Sequence, residues 1–146
     1  MKKLILTFVV ITCASSFAVA QNARRRAVKT GPPNGIFTPA IVTGDLVFTS
    51  GQIGVDAKGQ IVEGGIEPQT EQVFRNLATV LEAAGSSVDN IVKATVFLAD
   101  MNDYNTMNEL YKKHFKGDPP ARTTVQVARL PRDAKIEIEA VAVLKQ

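Results

Sequence analysis

The sequence is poor in the side chains that most often act as nucleophiles and metal ligands: it has one cysteine, one histidine and no tryptophan in 146 residues. Cys13 lies in a segment that we expect to be removed. The remaining chain then offers no thiolate nucleophile, disulfide or thiolate metal site. His114 stands alone, close to Lys112, Lys113 and Lys116. We expect it to interact with the end of a helix, which leaves no histidine for a Ser-His-Asp triad.

The N-terminus has the pattern of a secretory signal. Met1-Lys2-Lys3 supplies positive charge, residues 4–11 are apolar, and Ala18-Val19-Ala20 is an A-x-A cleavage site. We therefore predict cleavage after Ala20 and a periplasmic or secreted protein. One alternative is a membrane anchor, although the apolar run is short beside the roughly 20 residues of a span. The other is a lipoprotein attached at Cys13.

Cleavage would also remove Lys2 and Lys3, which reduces the formal net charge from +3 to +1. Such a balance gives little support for nucleic-acid binding. The basic run Arg24-Arg25-Arg26 falls within residues 21–30, which we predict to be a flexible basic N-terminal tail. Residues 31–146 then form a single domain, because their length suits one hydrophobic core and no repeat or low-complexity linker divides them.

Hydrophobic periodicity predicts two helices. An apolar stripe through Val73, Leu77 and Leu81 ends at Gly85, a typical residue just beyond a helix, and a second helix is predicted over residues 102–115. Alternating or β-branched runs predict strands near residues 27–30, 40–54, 60–62, 91–98, 122–128 and 135–144. The order β-β-β-α-β-α-β-β predicts an α+β fold, a mixed β-sheet with two helices on one face.

The last predicted strand is apolar on both faces. Val141 and Val143 share one face with Glu137 and Glu139, and the opposite face carries Ile136, Ile138, Ala140 and Ala142. Two helices cover only one face of the sheet, so the other apolar face needs a different partner. The simplest partner is another copy of the chain, and we predict a homo-oligomer.

Two charged residues near the C-terminus are the main candidates for chemistry. Arg122 follows the stiff lead-in Pro119-Pro120, and its planar guanidinium can pair with a carboxylate through two hydrogen bonds. It could equally be a surface residue or form a salt bridge with Glu137 or Glu139. Glu137 stands between two isoleucines, where burial would raise its pKa and suit proton transfer. Strand alternation also allows it to be exposed.

A third candidate feature is the strand end Thr49-Ser50-Gly51-Gln52. Its small polar groups and its glycine would let a ligand or another backbone approach closely. A plain β-bulge is the alternative.

Taken together, residues 27–144 resemble the RidA family, also called YjgF/YER057c/UK114, the reactive-intermediate deaminases. The resemblance is carried by Thr49-Ser50-Gly51-Gln52-Ile53, Ala83-Ala84-Gly85, Val92-Lys93-Ala94-Thr95-Val96-Phe97-Leu98, Asp100-Met101-Asn102-Asp103, Pro120-Ala121-Arg122 and Ile136-Glu137-Ile138-Glu139. It implies a chorismate-mutase-like α+β fold, a homotrimer with three clefts between subunits, and hydrolysis of 2-imino or 2-enamino acids to 2-keto acids and ammonia. It implies no metal and no cofactor.

The resemblance also assigns roles to individual positions. Arg122 matches the carboxylate-binding arginine, and Glu137 matches the glutamate thought to orient the attacking water. Ser50 and Gly51 match the strand end that lines the cleft, and Asn102 matches a polar residue near the site.

Two positions depart from the family pattern. Thr124 stands where many members have cysteine, which keeps a short polar side chain without the thiol. Phe37 stands where many deaminase members have tyrosine, which keeps the ring and loses the hydroxyl.

Other functions remain open at the level of the sequence. The same cleft could bind small 2-keto acids without turnover, which the missing hydroxyl at Phe37 favours. A protein-protective, holdase-like role would require exposed apolar surface. RNA cleavage, also proposed in the family, fits poorly with a nearly neutral chain that has no catalytic histidine. We expect a small 2-imino or 2-keto acid and other copies of the chain as partners, with no nucleic acid and, after signal cleavage, no membrane.

Overall fold

The structure is a computed structural model that describes residues 25–30 and 36–145. The signal segment 1–20, its cleavage after Ala20 and the lipoprotein alternative at Cys13 lie outside the described residues. Within the described part of the chain, neither helix combines the length and the apolar character that crossing a bilayer requires.

Seven strands of the described residues form one mixed sheet. They are β1 (Arg26–Val28), β2 (Ala40–Thr43), β3 (Leu46–Thr49), β4 (Gln52–Ile53), β5 (Ile91–Leu98), β6 (Ala121–Gln126) and β7 (Ile136–Val143). The strand order is β1-β2-β3-β7-β5-β6, and β4 also pairs with β7. Only β5 and β6 run parallel. This places β6, the strand of Arg122, at an edge of the sheet.

Two helices lie on one face, as the sequence predicts. They are α1 (Ile66–Ala84) and α2 (Tyr104–Tyr111), and 3₁₀ turns extend α2 at both ends, over Met101–Asp103 and Lys112–His114. Gly85 ends α1 in the left-handed conformation at φ 92°, where its N–H bonds to the carbonyl of Glu82. The Asp100 carboxylate caps the turn before α2 by accepting from the Asn102 N–H.

The hydrophobic core lies between the helices and one face of the sheet. It joins residues of α1 and α2 with inward residues of the strands, among them Val73, Leu77, Leu81, Met107, Tyr111, Val96, Leu98, Ile136, Ile138, Ala140 and Ala142. The predicted alternation of β7 is confirmed, because its four inward residues are all buried.

Two predicted boundaries are corrected. Residues 26–28 form β1, because they pair with β2 and the Arg26 guanidinium donates to the Ala84 carbonyl at 2.9 Å. The tail predicted for residues 21–30 therefore overlaps this strand. The strand predicted at residues 60–62 is reduced to one bridge, between Val55 and Ile61, because the Asp56 carboxylate accepts the backbone N–H groups of Lys58 and Gln60 and closes a turn there.

The second face of the sheet carries no helix in the described residues and exposes several large apolar side chains. The cross-strand pairs Leu46–Val143 and Phe48–Val141 lie on this face, as do Phe97 and its partner Val125 on β6. We call it the open face. A shallow cavity of about 100 Å³ on this face is lined in part by Phe48, Lys93, Thr95, Glu139 and Val141.

His114 packs against α1 and does not cap α2, contrary to our expectation. Its ring stacks on Phe74 with centroids 3.9 Å apart and an interplanar angle of 8°. Nε2 lies 3.5 Å from a Glu71 carboxylate oxygen. Burial lowers the pKa of His114, and Glu71 only partly offsets this. The histidine therefore belongs to the contact between the two helices.

Candidate active site

Arg122 projects from edge strand β6 towards α2. Its partner in the parallel register is Ala94, a buried residue of the helix-covered face, so Arg122 points to the same side. There Nη2 donates to Oδ1 of Asn108 at 2.6 Å. The guanidinium carbon lies 4.5 Å from the centroid of the Tyr111 ring, close enough for cation–π attraction.

The guanidinium has no acidic partner among the described residues. Its other contacts are the Tyr104 hydroxyl, 3.5 Å from Nη2, and the Met107 sulfur, 3.8 Å from Nη1. None of the salt bridges in the described part of the chain includes Arg122, so the alternative of an ion pair with Glu137 or Glu139 is wrong. A partly buried cation held by neutral groups is ready to accept a carboxylate from elsewhere.

Two buried hydroxyl groups near this guanidinium have no hydrogen-bond partner in the described structure, those of Thr124 and Tyr111. Thr124 lies two residues beyond Arg122 on β6, so both side chains project from the same side of the strand. Buried polar atoms are rarely left without a partner. The Thr124 hydroxyl is therefore an unpaired polar group buried on the same side of β6 as Arg122.

Glu137 lies on β7, opposite Ile53 of β4 on one side and Phe97 of β5 on the other. Its side chain is half-buried. Burial, with a smaller contribution from Glu139, raises the pKa of Glu137 above its usual value. The direction agrees with the prediction, although Ile136 and Ile138 project from the opposite face of β7. A carboxylate of raised pKa is a better proton acceptor.

Gly51 makes room for the Glu137 carboxylate. A Cβ atom built on Gly51 would overlap the Oε1 atom of Glu137 and lie 2.7 Å from its Cδ. Ser50 fixes this segment, because its hydroxyl donates to the Thr38 carbonyl at 2.7 Å and its N–H donates to the Pro39 carbonyl at 2.9 Å. The strand end predicted to line a cleft thus positions a candidate catalytic carboxylate.

Replacement of Gly51 by alanine is expected to lower kcat about 100-fold, because a side-chain displacement of about 1 Å in a catalytic group costs that much. The measurement is steady-state turnover of a 2-imino acid, the substrate class that the sequence resemblance implies. Gly117→Ala is the matched control, since a Cβ at Gly117 meets no atom within 4 Å. Wild-type kcat in Gly51→Ala would show that the position of Glu137 does not matter for turnover.

The remaining candidates are placed as follows. Phe37 precedes β2 and is 54% exposed. Asn102 lies in the turn before α2, is exposed, and makes no side-chain hydrogen bond to Arg122.

The amide that contacts the guanidinium is Asn108, which the sequence analysis missed together with Tyr104. The available signal was their spacing, since residues 104, 108 and 111 fall on one helix face at i, i+4 and i+7.

Arg122 and Glu137 cannot reach one small molecule within a single chain. Strand β5 separates their strands, which places them about 10 Å apart across the sheet, and their β5 partners Ala94 and Phe97 differ by about 10 Å along it. They also project from opposite faces. A site that uses both residues must therefore join two chains.

No three His, Cys, Asp or Glu side chains within residues 25–30 and 36–145 cluster closely enough to hold a metal ion. The groups that the structure offers to a ligand near Arg122 are the guanidinium and the hydroxyl of the exposed Tyr104. This arrangement suits a small organic acid.

Comparisons with known proteins agree with this geometry. The family profile described as Endoribonuclease L-PSP matches residues 28–144. A human protein named 2-iminobutanoate/2-iminopropanoate deaminase is 46% identical over 123 residues, which cover 82% of this chain and 90% of the human protein.

Solved structures are similar as well. Yeast Mmf1 superposes with a TM-score of 0.80 at 39% identity, covering 84% of this chain and all of the yeast chain. Escherichia coli TdcF with bound serine gives a TM-score of 0.75 at 40% identity, over 82% of this chain and 99% of TdcF.

Proposed function

Because this chain belongs to the Endoribonuclease L-PSP family, the RidA/YjgF family of its sequence motifs, we propose that it hydrolyses small 2-imino acids to 2-keto acids and ammonia. The observation that carries the proposal is the partly buried Arg122 guanidinium, which contacts only neutral groups in the described chain. The human relative named for this reaction covers most of the chain.

Arg122 binds the substrate carboxylate. The guanidinium gains from its partly dehydrated position, since charge interactions strengthen as the local dielectric falls. Asn108 and Tyr111 hold it in place, so little conformational entropy is lost when the acid binds.

Glu137 orients and deprotonates the attacking water. The water oxygen bonds to the imine carbon, its proton passes to the Glu137 carboxylate, and the C=N bond becomes a C–N single bond. Glu137 then returns this proton to the nitrogen. As the C–N bond breaks and the C=O bond of the keto acid forms, the carboxylate accepts the remaining hydroxyl proton and passes it to the departing ammonia, which leaves as ammonium. A protonated imine is already electrophilic, so positioning and proton transfer account for the required catalysis.

We propose that the site forms between two copies of the chain in a homotrimer. The open face, with Leu46, Phe48, Val125 and Val143 each more than one-third exposed, supports this assembly. Contiguous apolar surface of this kind marks interaction sites. One copy supplies Arg122 and Thr124, and its neighbour supplies Gly51 and Glu137.

Analytical ultracentrifugation is expected to give three times the chain mass for the wild type. A charge at the centre of the open face, Phe48→Glu, should shift the protein towards the monomer because a buried unpaired charge is strongly unfavourable. Thr79→Glu places the same charge on the exposed surface of α1 and should leave the trimer intact. A monomeric wild type would overturn the two-chain site.

We also propose that the protein is exported and that cleavage follows Ala20. The support is the sequence pattern of residues 1–20 and the lack of any cysteine after residue 13, which suits an oxidising compartment. Intact mass spectrometry of protein from a periplasmic or secreted fraction should give a chain that begins at Gln21. A lipid-modified species would favour attachment at Cys13 instead.

The direct test of the reaction generates 2-iminopropanoate with an amino-acid oxidase and follows pyruvate release. Purified protein of residues 21–146 should accelerate the release in proportion to its concentration. Denatured protein is the control for trace catalysts. No acceleration over the unassisted reaction would overturn the deaminase proposal.

One observation favours a second function, binding of small keto acids without turnover. Phe37 lacks a hydroxyl at a position where many deaminase members have one. It precedes Thr38, whose carbonyl accepts a hydrogen bond from the Ser50 hydroxyl. Binding of 2-ketobutyrate by calorimetry, without acceleration of imine hydrolysis, would support this second function.

RNA cleavage is not the reaction we propose. The one histidine of the sequence lies against Phe74 between the helices, where burial lowers its pKa. It is not part of the group of side chains around Arg122.

A further inference from the structure

Tyr104, the first residue of α2, lies at the exposed side of the Arg122 guanidinium. Its side chain is 37% exposed, whereas Tyr111, on the same guanidinium, is 3% exposed. The Tyr104 hydroxyl is 3.5 Å from Nη2 of Arg122, and the guanidinium carbon is 5.8 Å from its ring centroid. Of the two tyrosines, only Tyr104 is open to an arriving ligand.

The neighbours of the Tyr104 oxygen are hydrogen-bond donors. Arg122 Nη2 lies 3.5 Å from the Tyr104 oxygen and donates to the Asn108 carbonyl oxygen at 2.6 Å. The hydrogen bond with Asn108, followed by the charge and hydrogen bond of Arg122, lowers the pKa of Tyr104. Because Arg122 faces the phenol oxygen as a donor, the phenol proton is available for another acceptor.

We propose that Tyr104 is a specificity-determining residue that donates its hydroxyl hydrogen to the carboxylate bound by Arg122. The inference rests on the proposed function, since it requires that a small acid binds at this guanidinium. A carboxylate accepts up to about four hydrogen bonds. Arg122 and Tyr104 together would select an acid group over a neutral amide of the same shape.

The variant Tyr104→Phe removes only the hydroxyl. Its Kd for 2-ketobutyrate, measured by titration calorimetry, is expected to rise about 10- to 100-fold, since the variant loses a hydrogen bond to a charged group, the bound carboxylate. Asn105→Ala is the control, because Asn105 is the exposed neighbour of Tyr104 on α2 and makes no contact with Arg122. Its Kd should match the wild type.

A pH series separates a ligand contact from a purely structural effect. Since the pKa of Tyr104 is lowered, the phenol ionises below its ordinary value of 10.0, and the phenolate would repel the bound acid. Wild-type affinity should therefore fall as pH rises through that interval, and Tyr104→Phe should lack this fall. The other charged or titratable groups at this position are Arg122 and Tyr111, and burial raises the pKa of Tyr111 to about 12, above this interval.

The outcomes distinguish this inference from the proposed function. If the wild type binds 2-ketobutyrate and Tyr104→Phe binds it equally well at every pH, the role of Tyr104 is overturned and the proposed function stands. If the wild type accelerates imine hydrolysis but does not bind 2-ketobutyrate, the role of Tyr104 is overturned and the deaminase proposal stands; if it does neither, both are overturned. A weaker Kd with an unchanged pH profile would assign Tyr104 a structural role and would also overturn the inference.

Discussion

Replacement of Arg122 by alanine is expected to lower kcat/KM for 2-iminopropanoate by about 10²- to 10³-fold and to abolish measurable binding of 2-ketobutyrate. The reason is the loss of the one cation that contacts Asn108, Tyr104 and Tyr111 in the described structure. Removal of one partner of a close, partly buried charge pair costs about 2–5 kcal/mol, which corresponds to this range. Pyruvate release and calorimetry measure the two effects.

Arg122→Lys is the matched control, because it keeps the positive charge and loses the planar fork. It should fall between the wild type and Arg122→Ala in both measurements. Near-UV circular dichroism checks that α2 keeps its packing, since Tyr104 and Tyr111 both contact the guanidinium. An Arg122→Ala protein that is folded and fully active would end the proposal of carboxylate binding at this residue.

Replacement of Glu137 by glutamine is expected to lower kcat about 10²- to 10⁴-fold, the usual contribution of a general base, while 2-ketobutyrate binding is largely retained. The same variant should be more stable than the wild type at neutral pH. Burial raises the folded-state pKa of Glu137. The protonated side chain therefore adds to the free energy of unfolding at low pH, and this contribution is lost as the pH rises through the folded-state pKa. Glutamine stays neutral at every pH, so the variant avoids the cost of burying a charged carboxylate.

The measurements are turnover and urea unfolding as a function of pH. Glu139→Gln is the control, because Glu139 lies on the same strand and the same face but is exposed. It should retain most of the activity, and the pKa of Glu137 should fall when this neighbouring charge is removed. Equal activity of Glu137→Gln and wild type would show that this carboxylate takes no part in the reaction.

The two variants together test whether the site joins two chains. Arg122→Ala and Glu137→Gln chains, refolded together in equal amounts, form mixed assemblies in which some sites contain both wild-type residues. With random mixing, about one quarter of wild-type activity should return. Activity no greater than the sum of the separate variants would indicate that the two residues do not act in one site between chains.

Local signals were sufficient for the elements that carry the candidate residues. The apolar stripe of α1 and its final Gly85 predicted a helix that the structure places at Ile66–Ala84. The alternation of β7 predicted which of its residues are buried. In both elements, the residues that contact the core recur with the period of the helix or the strand, and the apolar residues of the sequence follow the same period.

The surroundings of Arg122 could not be predicted in the same way. Asn102 and Asn108 are both polar residues of the same helical region, and only the position of β6 relative to α2 decides which one contacts the guanidinium. That position depends on the strand order β7-β5-β6 and on the parallel pairing of Ala94 with Arg122. The spacing of residues within one segment holds no information about the strand order or about the pairing of β5 with β6.

The placement of Arg122 and Glu137 on opposite faces has a thermodynamic consequence. An acid that lies between Arg122 of one chain and Glu137 of the next binds more tightly to the associated form, so mass action makes each bound molecule oppose dissociation of the chains. On dilution, the empty protein should then dissociate at a higher total concentration than the ligand-bound protein. At low protein concentration, the amount of substrate would thereby set the fraction of chains that is assembled and active.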